Sequence, residues 1–467
     1  MSRGLLKLTA WNYISRLVEF ALPTLIFLAC AKLLSVEDTA KLSLFLAISA
    51  IINVVLGFGL DAYILRYGSE LTESEINAAY LRRLLGATLA SVTLGIALVL
   101  LSRLTSWIRI ALAPGDIFLG VVFTIALASV GFFTHLLLSR STPRATFAPI
   151  IISRGLQVIL LTVIIFAGSL NYTIVAASYV LASCVQSLLL YRGSRVGMIW
   201  VPFHAQKWPE YAKHVWIADL ANLLLGRQFD IVLLLVLLNT AISISSYNLG
   251  SQIISSIEAI LSFGLLSTFL PHFRDLNSED EIRSEHKRVI SIYSRWASPI
   301  IGLSAVLLPF VADQFYGLKY PQLSIILQAG LLLLLIRIGA LGGNLSYSVL
   351  LTREYSKLSA SIRVGCAFAG LILSTLLILQ FGAIGAIVAS QIIAIAVCAL
   401  ETYYARRYSL IAPGPTPAFH AITGSVLAIA AIAITHEASL ATLALITAGY
   451  LIVYLVIERT ISSLSRA

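Results

Sequence analysis

The chain is a succession of apolar runs, each long enough to cross a lipid bilayer, joined by loops too short to hold a second kind of domain. A membrane-spanning helix needs about 20 mostly apolar residues. About fourteen segments meet that length: 11–34, 42–65, 84–105, 117–139, 147–170, 172–192, 214–238, 245–273, 291–312, 322–350, 358–380, 383–405, 418–436 and 439–458. Inside a bilayer every backbone polar group must be satisfied within the chain, so runs of this kind fold as helices. Charged residues make up 12% of the chain, against roughly 25% in a soluble domain, and cannot cover a water-facing surface. The expected fold class is therefore an all-α polytopic membrane protein, with the first apolar run kept as a span rather than cleaved as a leader.

The loop charges orient the spans. With the N-terminus placed in the cytoplasm, the inside loops hold twenty-one Lys and Arg residues, among them Arg66, Arg82 and Arg83 between the second and third spans. The outside loops hold five: Lys32, Lys41, Arg103, Arg109 and Lys319. Basic loops stay on the cytoplasmic side, so both termini are expected there. The formal net charge of +10 belongs to this pattern and not to a nucleic-acid surface, because no basic patch interleaved with aromatics lies outside the spans.

An offset of 205 positions superimposes part of the chain on itself. It carries Trp11 onto Trp216, Leu56-Gly57-Phe58-Gly59-Leu60 onto Leu261-Ser262-Phe263-Gly264-Leu265, and Arg82-Arg83 onto Lys287-Arg288. An even number of spans separates the copies, so both enter the membrane from the same side. This predicts two parallel six-helix lobes, 1–193 and 194–410, with a substrate path between them. The helix-breaking Pro413-Gly414-Pro415-Thr416-Pro417 precedes two further spans in 411–467, which fall outside the repeat and read as an appendage.

Several short motifs, in this order and spacing, resemble one family. They are Gly57-Phe58-Gly59-Leu60 followed by Arg66, Asp230 followed by Tyr247 and Gly250, Phe315-Tyr316-Gly317 with Tyr320, and Phe381-Gly382-Ala383-Ile384-Gly385-Ala386. Across nearly its whole length the chain resembles Wzx-type polysaccharide and O-antigen flippases of the multidrug/oligosaccharidyl-lipid/polysaccharide (MOP) flippase superfamily. The resemblance implies a V-shaped pair of lobes like that of the MATE transporters. It also implies alternating access in the bacterial inner membrane, and an undecaprenyl-pyrophosphate-linked oligosaccharide as cargo. The sugar and pyrophosphate would pass through a cationic cavity, with a proton or sodium ion as the coupling ion. A polysaccharide polymerase and a chain-length regulator are the partners it implies.

Charges within the spans carry the chemistry, since a charge at mid-bilayer costs roughly 2.5–3.5 kcal/mol on insertion scales. Arg227 and Arg337 lie near mid-membrane, and Arg16 and Arg154 lie nearer the cytoplasmic ends. Their guanidinium forks match phosphate oxygens bidentately, so all four are expected to line the cationic cavity. Each also has a plain structural reading as an interhelical ion pair or as a headgroup-seeking side chain. For Arg227 the local partner is Asp230, three residues on along one helix face. Glu19, Asp230 and Glu258 are the expected ion-coupling acids. Glu258 has no base near it in sequence, so it is either protonated or paired with an arginine elsewhere. Asp61, Asp219, Asp313 and Glu401 lie near span ends, where an interfacial role is expected.

Nothing points to a cofactor, metal site or enzyme. The four cysteines each stand alone in apolar runs, and the histidines lack metal-binding spacing. Other functions stay open: a peptidoglycan-precursor flippase, a cation-coupled drug antiporter of the same fold, or an integral-membrane polymerase or ligase. The antiporter needs an apolar, acidic site, and the polymerase needs a large outward loop that the short segment around 106–116 does not supply.

Overall fold

The computed structural model describes residues 18, 21–104, 114–140, 143–168, 170–196, 208–275, 278–342, 345–353, 355–411, 416–435 and 446–457. Among them the secondary structure is helical throughout. In chain order the helices are α1 (Ala21–Leu33), α2 (Val36–Val55), α3 (Leu60–Tyr67), α4 (Glu73–Leu104), α5 (Pro114–Ser139), α6 (Pro143–Phe166), α7 (Tyr172–Ser194), α8 (Trp208–Leu224) and α9 (Arg227–Leu237). They continue with α10 (Ala241–Asp275), α11 (Glu279–Tyr316), α12 (Leu323–Leu335), α13 (Leu345–Thr352), α14 (Ser356–Arg407), α15 (Thr416–Thr435) and α16 (Ile446–Ile457). Six of the described helices are long and apolar enough to cross a membrane, and the bent pair α8–α9 makes a seventh. Each of the fourteen expected segments falls on one or more of these helices.

The chain forms two compact units. One comprises Met1–Asn248 with Arg363–Ala367, and the other Leu249–Ile362 with Phe368–Ala467. The first unit therefore takes in α8 and α9, which the 205-residue offset had placed in 194–410. Within it, Asn248 donates from Nδ2 to Ser43 Oγ at 2.8 Å. These two residues are themselves 205 positions apart, so a pair related by the sequence repeat is also a physical pair.

Three expected spans are broken rather than straight. Span 2 breaks between α2 and α3, where Phe58 and Gly59 adopt left-handed backbone at φ 46° and 68°. Span 7 breaks between α8 and α9, which are bent by 46°. Span 10 runs from α12 into a π-helical turn, Ile336–Ala340, and resumes at α13. Such turns recur at functional sites.

The break in span 2 follows from its glycines. A Cβ on Gly59 would lie 2.3 Å from the Ala212 carbonyl oxygen, and one on Gly57 would lie 2.8 Å from Arg83 Nη1. The second copy has Ser262 where the first has Gly57, and there α10 runs on without interruption.

In the second unit, Gly382 (φ 61°, ψ −133°) divides α14 into two helices. A Cβ on Gly385 would come 1.9 Å from the Leu377 carbonyl oxygen, so the chain doubles back across a tight turn there. This is the division expected between 358–380 and 383–405. The C-terminal helices are more than an appendage: α15 packs on α11, on α12 and on the π-helical turn, while Tyr450 of α16 sits in the groove that Gly302 leaves open.

Candidate functional site

The charged side chains of the described spans gather mainly at the breaks, because a broken helix leaves carbonyls and N–H groups that need partners. At the end of α2 the released carbonyls are matched one by one. The Leu56 and Gly57 amides donate to Ile52 O and Val54 O, both at 3.1 Å. Arg83 Nη1 donates to Asn53 O at 3.0 Å, and Trp216 Nε1 to Val55 O at 2.9 Å. The Phe58 ring lies against Trp216, with centroids 5.2 Å apart. Thus the tryptophan that marks the repeat is the side chain that closes the break.

Arg83 corrects the loop assignment made from sequence. It is 1% exposed, and its Nη2 donates to Asn53 Oδ1 at 2.8 Å and to Asp61 Oδ2 at 2.9 Å. One guanidinium thus joins the last turn of α2 to the first turn of α3. Asp61 is accordingly half of an internal ion pair rather than an interfacial acid. Asp219 on α8 lies in electrostatic range of Asp61, Arg363 and Arg83. Arg363 Nη1 donates to Asn222 Oδ1 at 2.6 Å. Asp219 thus lies between two separate hydrogen-bonded sets, Arg83 with Asn53 and Asp61, and Arg363 with Asn222.

Two of the seven expected site residues, Arg227 and Asp230, lie at the break in span 7. Arg227 is the first residue of α9, whose N-cap, Gly226, offers no side-chain hydrogen bond. Asp230, one turn on, is 2% exposed and accepts a hydrogen bond from the Tyr247 hydroxyl. Arg154 on α6 donates from Nη1 to Gln157 Oε1 at 2.8 Å. Arg154 and Arg227 both lie in electrostatic range of Tyr179 on α7. Sequence reasoning had singled out neither Tyr179 nor the role of Tyr247. A phenol in an apolar run reads as core, and only the fold shows that the Tyr247 hydroxyl reaches Asp230.

The second unit holds the other pair. Glu258 on α10 and Arg337 on the π-helical turn form an ion pair, so the acid without a base near it in sequence has one 79 residues away. Cys398 and Tyr293 lie in electrostatic range of the same guanidinium. Glu401 is fully buried and accepts from Ser359 Oγ at 2.9 Å, which places it inside the packing of α14 instead of at an interface. Arg16 and Glu19, the remaining two expected site residues, lie outside the described residues, as does Trp11. Among the described residues no group of His, Cys, Asp and Glu is arranged to hold a metal ion.

No protein-family model and no curated protein matches the chain. Solved structures do match along most of its length. An outward-facing multidrug resistance MATE family transporter of the MOP superfamily has a TM-score of 0.60 at 14% identity, covering 88% of this chain and 98% of that one. A Vibrio cholerae MATE transporter, VcmN in the bent form, has a TM-score of 0.56 at 17% identity, covering 87% and 97%. A MOP superfamily transporter from Pyrococcus furiosus, described as having a binding pocket of reverse polarity that suggests a different function, has a TM-score of 0.56 at 13% identity, covering 88% and 98%. At these identities the likeness establishes the all-helical fold of MATE transporters.

Proposed function

We propose that the protein moves an undecaprenyl-pyrophosphate-linked oligosaccharide across the bacterial inner membrane by alternating access, coupled to a proton or sodium ion. It would act as a transporter and not as an enzyme, with the lipid bilayer as its medium. The observation that carries this reading is the position of Arg227 at the start of α9, where span 7 is bent by 46°. Helix breaks at membrane depth are where transporters hold charged cargo, and arginine suits a phosphate better than a cationic drug. Arg337, on its π-helical turn, would be a further substrate-binding cation. Asp230 and Glu258 would be the ion-coupling acids. A polysaccharide polymerase and a chain-length regulator would take the cargo onward.

The fold supports a cation-coupled drug antiporter equally well, and the buried carboxylate of Asp230 is the feature that favours it. That acid, however, is already engaged by Tyr247, and Glu258 by Arg337. A strain lacking its own oligosaccharide flippase separates the readings. Restored surface polysaccharide, lost with Arg227→Ala or Arg337→Ala while the protein stays in the membrane fraction, is the expected outcome. Drug resistance without polysaccharide would overturn the flippase reading. Rescue of a strain lacking its peptidoglycan-precursor flippase would identify that cargo instead.

A further inference from the structure

Pro299 lies inside α11. A proline has no N–H, so the carbonyl four residues before it loses its helical donor; here that carbonyl belongs to Arg295. In a membrane span a freed carbonyl must find its partner within the protein. It finds one on another helix: the Tyr454 hydroxyl of α16 donates to Arg295 O at 3.2 Å. A phenol has one hydrogen to give. The second contact of that hydroxyl, with His420 Nδ1 of α15 at 3.3 Å, is therefore one in which the imidazole donates. His420 and Tyr454 are both buried. Gly302, one turn beyond the proline, supplies a second fit, since a Cβ there would overlap the Tyr450 hydroxyl. Tyr450 and Tyr454 stack one turn apart on α16, and the Tyr450 hydroxyl donates to Gly424 O of α15 at 3.5 Å. One stretch of α11 thus offers a free acceptor and a gap, and α16 meets each with a tyrosine.

We propose that α15 and α16 are a latch on a proline hinge in α11, closed by the chain from His420 through the Tyr454 hydroxyl to Arg295 O. With the chain made, α11 is held in the conformation seen here. With it broken, the helix is free to bend at Pro299, the kind of position where helices do bend. Both α11 and α15 pack on the π-helical turn that carries Arg337, so movement at the hinge reaches that turn directly. The two C-terminal helices then have a task of their own, setting the shape of a span in the second unit. The latch needs no particular cargo; its use in transport rests on the functional reading above, and the two are tested apart.

The test is amide hydrogen exchange on the purified full chain in phosphatidylcholine nanodiscs, read over residues 293–303. Tyr454→Phe keeps the ring and removes only the donor, and should speed exchange there about two- to tenfold, as loss of one hydrogen bond does. Pro299→Ala restores an N–H to the helix and gives Arg295 O its own donor, so in that background Tyr454→Phe should change exchange little. His420→Ala leaves the Tyr454 donation in place and should have a smaller effect than Tyr454→Phe. Should Tyr454→Phe fail to accumulate, the double variant with Pro299→Ala should restore accumulation. A Tyr454→Phe protein that exchanges like the parent, a full Tyr454→Phe effect in the Pro299→Ala background, or a double variant that accumulates no better than the single one overturns the latch. In the complemented strain Pro299→Ala should lower surface polysaccharide severalfold at normal protein level, and unchanged output would refute the use of the hinge in transport. A parent chain that restores no polysaccharide refutes the flippase reading and leaves the latch to be judged by exchange.

Discussion

Replacing Arg83 should destabilise the first unit more than any single change at an exposed arginine, and the reason lies in what the guanidinium leaves behind. In an Arg83→Met variant the methionine fills much of the same volume. Asp61 then loses its cation, and the Asn53 carbonyl loses its donor. The other carboxylate oxygen, Asp61 Oδ1, is already buried with no hydrogen-bond partner. Breaking a buried pair by removing one partner costs about 3–5 kcal/mol. The Asp61 side chain is 26% exposed, so water relieves part of this, and the low end, about 3 kcal/mol, applies. A domain of 150–250 residues shifts by about 2–4 °C per kcal/mol, so a drop of about 6–12 °C follows.

The double variant Arg83→Met with Asp61→Asn removes both charges of the pair. Its loss should fall short of the sum of the two single losses by about 2 kcal/mol, the size of coupling found between residues in one network. Thermal unfolding of the purified protein, followed by tryptophan fluorescence, reads all three variants. Trp216 is a native reporter, because its indole donates to Val55 O beside the break. A single Arg83→Met shift within 2 °C of the parent, set against this principle-based range, or strictly additive losses, would refute the argument that the pair staples the break.

Three further outcomes follow from local geometry. Gly385→Ala should abolish accumulation of folded protein, since its Cβ would collide with the Leu377 carbonyl oxygen, whereas Gly365→Ala, with open space around it, should accumulate normally; size-exclusion profiles of the fluorescently tagged protein report both. Arg337→Ala should lower the melting temperature more than Arg337→Ala combined with Glu258→Ala, because the single change strands a carboxylate against its ion-pair site; equal shifts would mean the pair is loosely held. His286, on the charged first turns of α11 ahead of its apolar stretch, has both ring nitrogens buried without a hydrogen-bond partner, and burial, helped by Arg406, pushes its imidazole down to about 4. The neutral form is the folded one, so stability is complete above the ordinary histidine value near 6.5 and falls as the pH drops from there toward 4, by about 3 kcal/mol in all; His286→Leu should flatten that part of a melting-temperature profile against pH.

The positions of the helices were legible because the apolar runs are long and the alternatives are few in a bilayer. The breaks were not, although their residues were in view. Gly57-Phe58-Gly59 lies in a run as apolar as its neighbours, and hydropathy does not register a positive φ. Arg83 looked like a loop cation because distance from an apolar run was the available measure. Its partners, Asn53 and Asp61, lie 30 and 22 positions away, beyond any helical periodicity. Glu258 and Arg337 were each singled out, but their pairing joins residues 79 positions apart on different elements, which no sequence spacing reveals. The Asp230 neighbourhood was half visible: Arg227 is a sequence neighbour, while Tyr247 lies beyond the end of α9.

The 205-residue offset gives these differences a common origin. Both copies inherit the same apolar scaffold, yet Asn53 in the first corresponds to Glu258 in the second, and Gly57 corresponds to Ser262. Where the first copy breaks and draws Arg83 inward to match a freed carbonyl, the second keeps its helix, and the corresponding Arg288 pairs with Glu285 on the exposed end of α11. Loss of a glycine removes the break, loss of the break removes the freed carbonyl, and without that acceptor a buried arginine has less to offset its desolvation. Glu258, on the unbroken helix, has instead found a cation on the turn of another broken span. The same logic places Arg227 at the start of α9. Arg83, Arg227 and Arg337 thus all lie at places where the backbone departs from a straight helix, and on the proposed flippase reading those breaks, more than the charges taken singly, would mark where the cargo is handled.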